Sequence, residues 1–376
     1  VGFVSLAMSG KMSGSRSSYA ELPVIAAVRK SELCPEIKVY SPEMGENLRL
    51  SRTALNWGLL GTARINRALI PPIRASHRSE LVAVASRTLE KARTYADQLG
   101  IPRAFGTYEE MLGDPDIDIV YIPLPNNMHS EWTIKAVQAG KHVLCEKPIA
   151  LTTEEVEAMR VAANENDRIV AEAFMYRHHP QTLKVREMVA DGMLGDLSFL
   201  RGSFTFNIAS ENDVRLDPNL GGGSIWDVGC YPISYARFVV GHEPITAVGW
   251  QRTGPSGVDE TFAGQLLFPD GVFAQFDCGF RSPYRVQMEI VGTRGTIVVN
   301  NPYKPGKNEK IQFDNGKDPR SIHVRGQELY SGEVTDLEDA ILLGKDPRVS
   351  LEDSQANVKA IGALIQSANL GEPVSI

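Results

Sequence analysis

Leu55-Asn56-Trp57-Gly58-Leu59-Leu60-Gly61-Thr62-Ala63-Arg64-Ile65-Asn66 decides the fold. A short, mostly apolar run ends at a glycine, and a helical stretch opens directly behind it. A run of that length bounded by glycine reads as a strand buried on both faces. The small residue at the turn lets a pyrophosphate approach the backbone amides of a helix N-terminus. Gly61 meets that need strictly, while Ala63 and Asn66 stand where the fingerprint has its other small residues. Alone, so partial a match is equally an ordinary strand-to-helix turn.

Outward from this stretch the rhythm continues. Leu81–Ala85, Ile117–Pro123, His142–Cys145 and Ile169–Phe174 read as further buried strands. Between them Leu89–Leu99, Ser130–Ala139 and Thr152–Asn164 carry a helical period, the last opened by the capping pair Thr152 and Glu155. Buried strands alternating with helices predict an α/β fold with a doubly wound parallel sheet over residues 54–175. After about residue 195 the pattern changes to strands and turns: Leu197–Phe206, Ala247–Gln251, Thr261–Phe268, Val272–Phe280, Val286–Val291 and Gly295–Val299, with a hairpin signal at Phe268-Pro269-Asp270-Gly271. Residues 176–376 are thus expected to form an α+β domain with a large, mainly antiparallel sheet. Its helices are expected from near Ser224, over Gly332–Leu343, and over Leu351–Asn369 with Gly371 as the stop, the last placed to pack back on the first domain. Residues 1–53 carry no sustained period and read as an N-terminal arm.

A chain of 376 residues suits about two domains, and a net charge of −7 argues against the basic surface that nucleic acid or an anionic membrane would want. No apolar stretch is long enough to span a bilayer. Cys34, Cys145, Cys230 and Cys278 are scattered, which fits no structural zinc site, predicts no metal, and suits a reducing, cytoplasmic compartment. Export stays open because the sequence starts at Val1 rather than methionine.

The end of the second strand speaks to the cofactor. An NAD enzyme places a carboxylate there for the ribose 2′-hydroxyl; here stand Ser86 and Arg87. A guanidinium presents a fork of donors to a phosphate that a carboxylate would repel, so NADP(H) is expected, with Arg64 as a second contact. Thr62, Ala63 and Ile65 complete the pyrophosphate turn. Glu146-Lys147-Pro148 follows the fourth strand at the carboxyl edge of the sheet, where ligands bind in doubly wound folds. Gly221-Gly222-Gly223-Ser224 feeds a helix carrying Asp227 and Tyr231, whose spacing puts them on one face.

The chain from Asn56 onward resembles the glucose-fructose oxidoreductase / inositol dehydrogenase / rhizopine catabolism (Gfo/Idh/MocA) family. The resemblance is carried jointly by the Gly61 turn, Glu146-Lys147-Pro148 and the glycine-rich element with Asp227 and Tyr231. Glu172-Ala173-Phe174-Met175-Tyr176-Arg177-His178-His179-Pro180 resembles its branch of NADP-dependent aldose (xylose, glucose) dehydrogenases and dihydrodiol dehydrogenase. The resemblance implies an oxidoreductase acting on a sugar or cyclic polyol, with Lys147, Asp227 and Tyr231 as catalytic and substrate-binding residues and a cis peptide before Pro148. It implies cofactor contacts around Pro123, Pro125, Asn126, Asn127, His129, Glu146 and Lys147, and a homo-dimer or homo-tetramer built through the C-terminal sheet. Tyr176 and Arg177, where the first sheet hands over to the second domain, are expected at the substrate.

The chemistry supports these roles. Oxidising an alcohol needs a base, and a tyrosine lies roughly three pKa units too high, about 4 kcal/mol at neutral pH. One ammonium about 4 Å away offers about 4 kcal/mol at an effective dielectric near 20, before desolvation reduces it. Lys147 is therefore expected to lower the Tyr231 phenol and to stabilise a developing alkoxide. The residues alone also allow blander roles: Asp227 as a capping partner of Ser224, Tyr231 as a half-buried aromatic, Lys147 as a solvated charge and His129 as a helix-terminal residue. A sugar–sugar oxidoreductase that keeps its nucleotide, an NAD-dependent glycosidase and a nucleotide-sensing regulator without turnover remain alternatives.

Overall fold

The structure is a computed structural model that describes residues 54–376, so the arm expected at 1–53 lies outside the described residues. β1 (Leu55–Leu60), α1 (Asn66–Ala75), β2 (Ser79–Ala85), α2 (Leu89–Leu99), β3 (Arg103–Phe105), α3 (Tyr108–Leu112), β4 (Ile119–Ile122), α4 (His129–Gln138), β5 (His142–Glu146), α5 (Thr153–Glu165) and β6 (Val170–Ala173) alternate along the chain. The strands form one parallel sheet in the order β3-β2-β1-β4-β5-β6, so β1 and β4 flank the point where strand order reverses. Ligands bind above the carboxyl ends of strands at such a switch point.

Local chemistry sets the helix ends. Thr88 accepts from the Lys91 amide to start α2, and Gly100 stops it in the left-handed conformation. Thr152 and Glu155 form the expected capping box on α5. Helix α1 is the helical stretch expected behind Gly61, and it holds Pro71 and Pro72 in its interior. It persists because Leu69, Ile70, Pro72 and Ile73 are buried, which outweighs the two missing amide donors.

The second half comprises α6 (Pro180–Ala190), β7 (Leu197–Asn207), α7 (Cys230–Val240), β8 (Thr246–Thr253), β9 (Asp259–Leu267), β10 (Phe273–Gly279), β11 (Arg281–Gly292), β12 (Gly295–Val299), β13 (Asn308–Asp314), β14 (Arg320–Arg325), α8 (Ser331–Leu343), α9 (Leu351–Leu370) and β15 (Val374–Ser375). Its nine-stranded sheet runs β14-β13-β12-β11-β7-β10-β9-β8-β15. The sheet is antiparallel throughout except where β10 pairs parallel to β7, which makes it mixed. Phe268 to Val272 turns as expected, with Asp270 and Gly271 both at positive φ and the Phe268 amide on the Val272 carbonyl at 2.8 Å. The final long helix does return to the parallel sheet: Leu351 and Val358 join the core formed by β4, β5 and α5. Among the described residues no helix is long and apolar enough to cross a membrane.

Candidate active site

Gly61 leaves β1 at φ 124°, a backbone that side-chain-bearing residues rarely adopt, and a Cβ there would lie 3.3 Å from Leu124 Cδ2. Asn66 Nδ2 donates to the Gly61 carbonyl at 2.9 Å, so the residue in the third small position locks the turn. Thr62, Ala63, Arg64 and Ile65 lead from there into the start of α1, with Arg64 exposed. Ser86 is buried at the end of β2 and Arg87 is exposed just beyond it. Tyr108, not anticipated from sequence, walls the same cleft: its hydroxyl lies 3.8 Å from the position of a Gly61 Cβ. A glycine that leaves room, a helix N-terminus and an exposed guanidinium together fit a dinucleotide with an extra phosphate.

The centre of the site lies at the carboxyl end of β5. The Lys147–Pro148 bond is cis. Lys147 Nζ donates to Asp227 Oδ1 at 2.9 Å and to the Asp227 carbonyl at 2.7 Å. Asp227 Oδ2 accepts from Arg215 Nε at 2.8 Å, and Arg215 also pairs with Asp213. Burial works against ionising the carboxyl, but the two cations hold Asp227 below its usual range. Burial likewise opposes charging Lys147, and Asp227 still leaves the ammonium above its ordinary value. An ammonium has three N–H donors, and Asp227 takes two. Lys304 adds a further cation at this end of the site, its Nζ 5.7 Å from the Phe204 ring centroid.

The expected capping role of Asp227 is taken by another residue. Asp259 Oδ2, from β9, accepts from the Ile225 amide at 2.9 Å and from the Ser224 hydroxyl. Residues Ile225–Gly229 form a wide π turn ahead of α7, so Asp227 and Tyr231 do not share the face of one regular helix; Lys147 joins them instead. Its Nζ stands 5.2 Å from the Tyr231 ring centroid. The ammonium thus lies over the ring, while the Tyr231 hydroxyl contacts Met175 Sδ at 3.8 Å. Phe174, Phe204 and Tyr303 surround the same ring at 5.5, 5.3 and 5.6 Å. Burial therefore pushes the phenol well above its usual value, contrary to the lowering expected from Lys147.

The glycine run has a steric reason. A Cβ on Gly222 would lie 2.5 Å from the Arg215 carbonyl oxygen, and Gly223 donates to that same oxygen at 2.9 Å. Asn126 Nδ2 donates to the Gly221 carbonyl at 2.9 Å, tying this segment to the turn after β4. Gly222→Ala should therefore displace Arg215 from Asp227 at a cost of about 1–3 kcal/mol. A thermal melt should show a lower Tm and turnover should fall with it; unchanged values for both would refute this account.

The remaining expected residues divide. Pro123 and Asn126 are half-buried after β4. The His129 ring is buried between the Pro148 and Leu124 carbonyls, 2.8 Å from each, and burial lowers its pKa, so it braces the cis turn. Glu146 accepts from the Tyr121 hydroxyl and from the Lys147 amide, its carboxyl raised by burial. Tyr176 and Arg177 are corrections: the chain after β6 turns inward beneath α7 instead of toward the cleft. Tyr176 is 0% exposed and stacks on Tyr235 at 5.6 Å. Arg177 is 3% exposed, and its Nη1 donates to Ser234 Oγ at 3.1 Å and Asp353 Oδ2 at 3.0 Å. Arg215, Tyr108 and Lys304 were missed, since each lies in a segment without motif or period.

A family model described as an oxidoreductase family with an NAD-binding Rossmann fold matches residues 55–174, and the GFO/IDH/MocA C-terminal domain matches residues 182–298. The chain belongs to the Gfo/Idh/MocA oxidoreductase family. Within the family, D-xylose 1-dehydrogenase (NADP(+)) 2 of Haloferax volcanii is 35% identical over 324 residues, 85% of this chain and 99% of that one. The aldose-aldose oxidoreductase of Caulobacter crescentus, solved with glycerol, matches at TM-score 0.81 and 29% identity, over 86% of this chain and 100% of that one. A 3-ketoreductase of Actinomadura kijaniata, solved with NADP and TDP-benzene, matches at TM-score 0.79 and 28% identity, over 84% and 98%. As a family member the protein is an oxidoreductase, and Lys147 belongs to the half matched by the nucleotide-binding model.

Proposed function

We propose that the protein is an NADP(H)-dependent sugar oxidoreductase working as an aldose 1-dehydrogenase. The observation that carries this is the clamp of Lys147 on Asp227 at 2.9 Å, formed at the carboxyl edge of the parallel sheet and leaving one ammonium N–H uncommitted. Bound nicotinamide supplies the two-electron acceptor. Asp227 takes a hydrogen bond from a substrate hydroxyl and orients it. Lys147 donates to the reacting oxygen and stabilises the negative charge that develops there. In reduction Tyr231, kept protonated by burial, gives its Oη proton to that oxygen and regains one from solvent; in oxidation the phenol first releases its Oη proton to solvent, against the opposition of burial, and then takes the proton of the substrate hydroxyl.

Two relatives support the reading. The Haloferax enzyme is named for NADP and D-xylose. The Actinomadura ketoreductase was also solved with substitutions at a lysine and a tyrosine 84 positions apart, the separation of Lys147 and Tyr231. A panel of aldoses and polyols assayed with NADP+ and NAD+ by nicotinamide absorbance tests the proposal; no turnover on any of them would refute it. Arg87→Ala should raise the KM for NADP+ about 30-fold, as expected for losing a charged hydrogen bond of about 2 kcal/mol, while the KM for NAD+ moves by less than about threefold. Equal effects on both nucleotides would remove Arg87 from the phosphate site.

A second reading, a sugar–sugar oxidoreductase, is favoured by the Caulobacter neighbour. Nucleotide that copurifies and is reduced and reoxidised in place by two sugars would establish it. The proposal includes a homo-dimer or homo-tetramer through the outer face of the nine-stranded sheet, where Trp250 is 60% and Phe273 50% exposed. A monomeric mass in sedimentation would contradict that part.

A further inference from the structure

Beneath the catalytic turn lies a carboxyl group that the reaction as described does not use. Glu172 sits on β6, 2% exposed, paired in register with Cys145 on β5. Its Oε1 accepts from the Ile149 amide at 2.9 Å, two residues beyond Lys147 and directly after the cis bond. Its Oε2 accepts from Ser354 Oγ at 2.6 Å, in the first turn of α9. The neighbouring Asp353 accepts from Arg177 at 3.0 Å and from Arg237 at 3.3 Å. Arg237 lies on α7, the helix that carries Tyr231. Two consecutive residues of α9 therefore hold both the turn bearing Lys147 and the helix bearing Tyr231.

We propose that Glu172 is a positioning residue for Lys147: anchored by Ser354, its carboxyl grips the Ile149 amide and fixes the Lys147-Pro148-Ile149 turn so that Nζ meets Asp227. This rests on Lys147 being the catalytic cation of the proposed function. Lys147 is a flexible side chain whose reach is set by where its backbone is held, and small misplacements of reacting groups cost orders of magnitude in rate. A buried carboxyl without an ion pair is expensive unless its donors are well placed, and here the two donors come from separate elements.

The anchor is also sensitive to protonation. Burial raises Glu172 to about 7, with Asp353 raising it further and Ser354, Ile149 and Arg177 opposing. The thiols of Cys145 and Cys230, which also face it, are themselves raised by burial and stay neutral. An ionised carboxylate holds an amide more firmly than the neutral acid does, so turnover should rise with pH through about 7. Stability runs the other way. The folded protein keeps this proton up to about 7, whereas an unfolded chain loses it near 4.5, so Glu172 destabilises the fold increasingly across that window as pH rises.

The test uses steady-state kinetics across pH together with thermal melts. Glu172→Ala should lower kcat by about 10- to 100-fold while the KM for NADP+ changes less than about twofold. Glu172→Gln keeps an acceptor for Ile149 and a donor for Ser354, mimicking the neutral acid; its turnover should stay at the level the wild type shows below the inflection, lose the inflection near 7, and exceed that of the Ala variant, while the protein melts higher at alkaline pH. Ser354→Ala removes a bond that favours the ionised form and should move the inflection to higher pH. An Ala variant with wild-type kcat, an inflection that survives in the Gln variant, or one unmoved by Ser354→Ala would each overturn the proposal. If the Ala variant does not fold, the other two decide. Should Lys147→Met retain turnover, the functional reading itself fails; should that variant be inactive while all Glu172 and Ser354 variants are kinetically silent, only the positioning role fails.

Discussion

Lys147→Met should reduce kcat by about three orders of magnitude while leaving the nucleotide Kd within a few-fold. Losing one preorganised donor to a developing oxyanion alone costs about 100- to 1000-fold. Here the same substitution also strips Asp227 of two hydrogen bonds, at 2.9 and 2.7 Å, and so loosens the carboxylate that orients the substrate hydroxyl. The fold should survive because Arg215 still pairs with Asp227 at 2.8 Å, so this carboxylate keeps a cation. Nucleotide binding should persist because Gly61, Asn66 and Arg87 lie at the other end of the cleft's sheet edge, at β1 and β2. Steady-state turnover and a nucleotide fluorescence titration measure the two quantities. A variant with near-normal kcat would remove Lys147 from the chemistry.

Tyr231→Phe should lower kcat about 100-fold or more, with Tm nearly unchanged. The ring carries the packing, through Phe174, Phe204 and Tyr303, and phenylalanine preserves it. The hydroxyl makes one weak contact, to Met175 Sδ at 3.8 Å. Because the phenol is raised by burial, oxidation by the wild type should quicken toward alkaline pH as the base form appears, and the Phe variant should lack that rise. Retention of kcat within about threefold would make the Lys147 ammonium the proton donor and Tyr231 a packing residue.

Much of this was readable in the residues. The alternation of buried runs with helical periods gave the parallel sheet, since both faces of each strand are covered. Glu146-Lys147-Pro148 could be placed because it follows a strand directly. Elsewhere local pattern had nothing to say. β3 has three residues, too few for a period, and β13 opens on the polar run Asn308-Glu309-Lys310, which leaves only Ile311 and Phe313 as apolar positions. Arg215 meets Asp227 only because the intervening chain folds back under three glycines, a long-range closure with no local mark. Arg177 follows a buried strand, and the sequence does not state which way the chain turns next; it turned inward. The Tyr231 phenol was misjudged because pairwise charge arithmetic assumed the ammonium at the hydroxyl, whereas it lies over the ring and desolvation prevails.

The return of α9 to the first sheet carries a consequence for biosynthesis. Ser354 is translated after every strand of the parallel sheet and after β7 to β14. A nascent chain therefore makes β1 and β2 long before α9, and under the proposed role of Glu172 the turn holding Lys147 gains its brace only once this late helix has emerged from the ribosome.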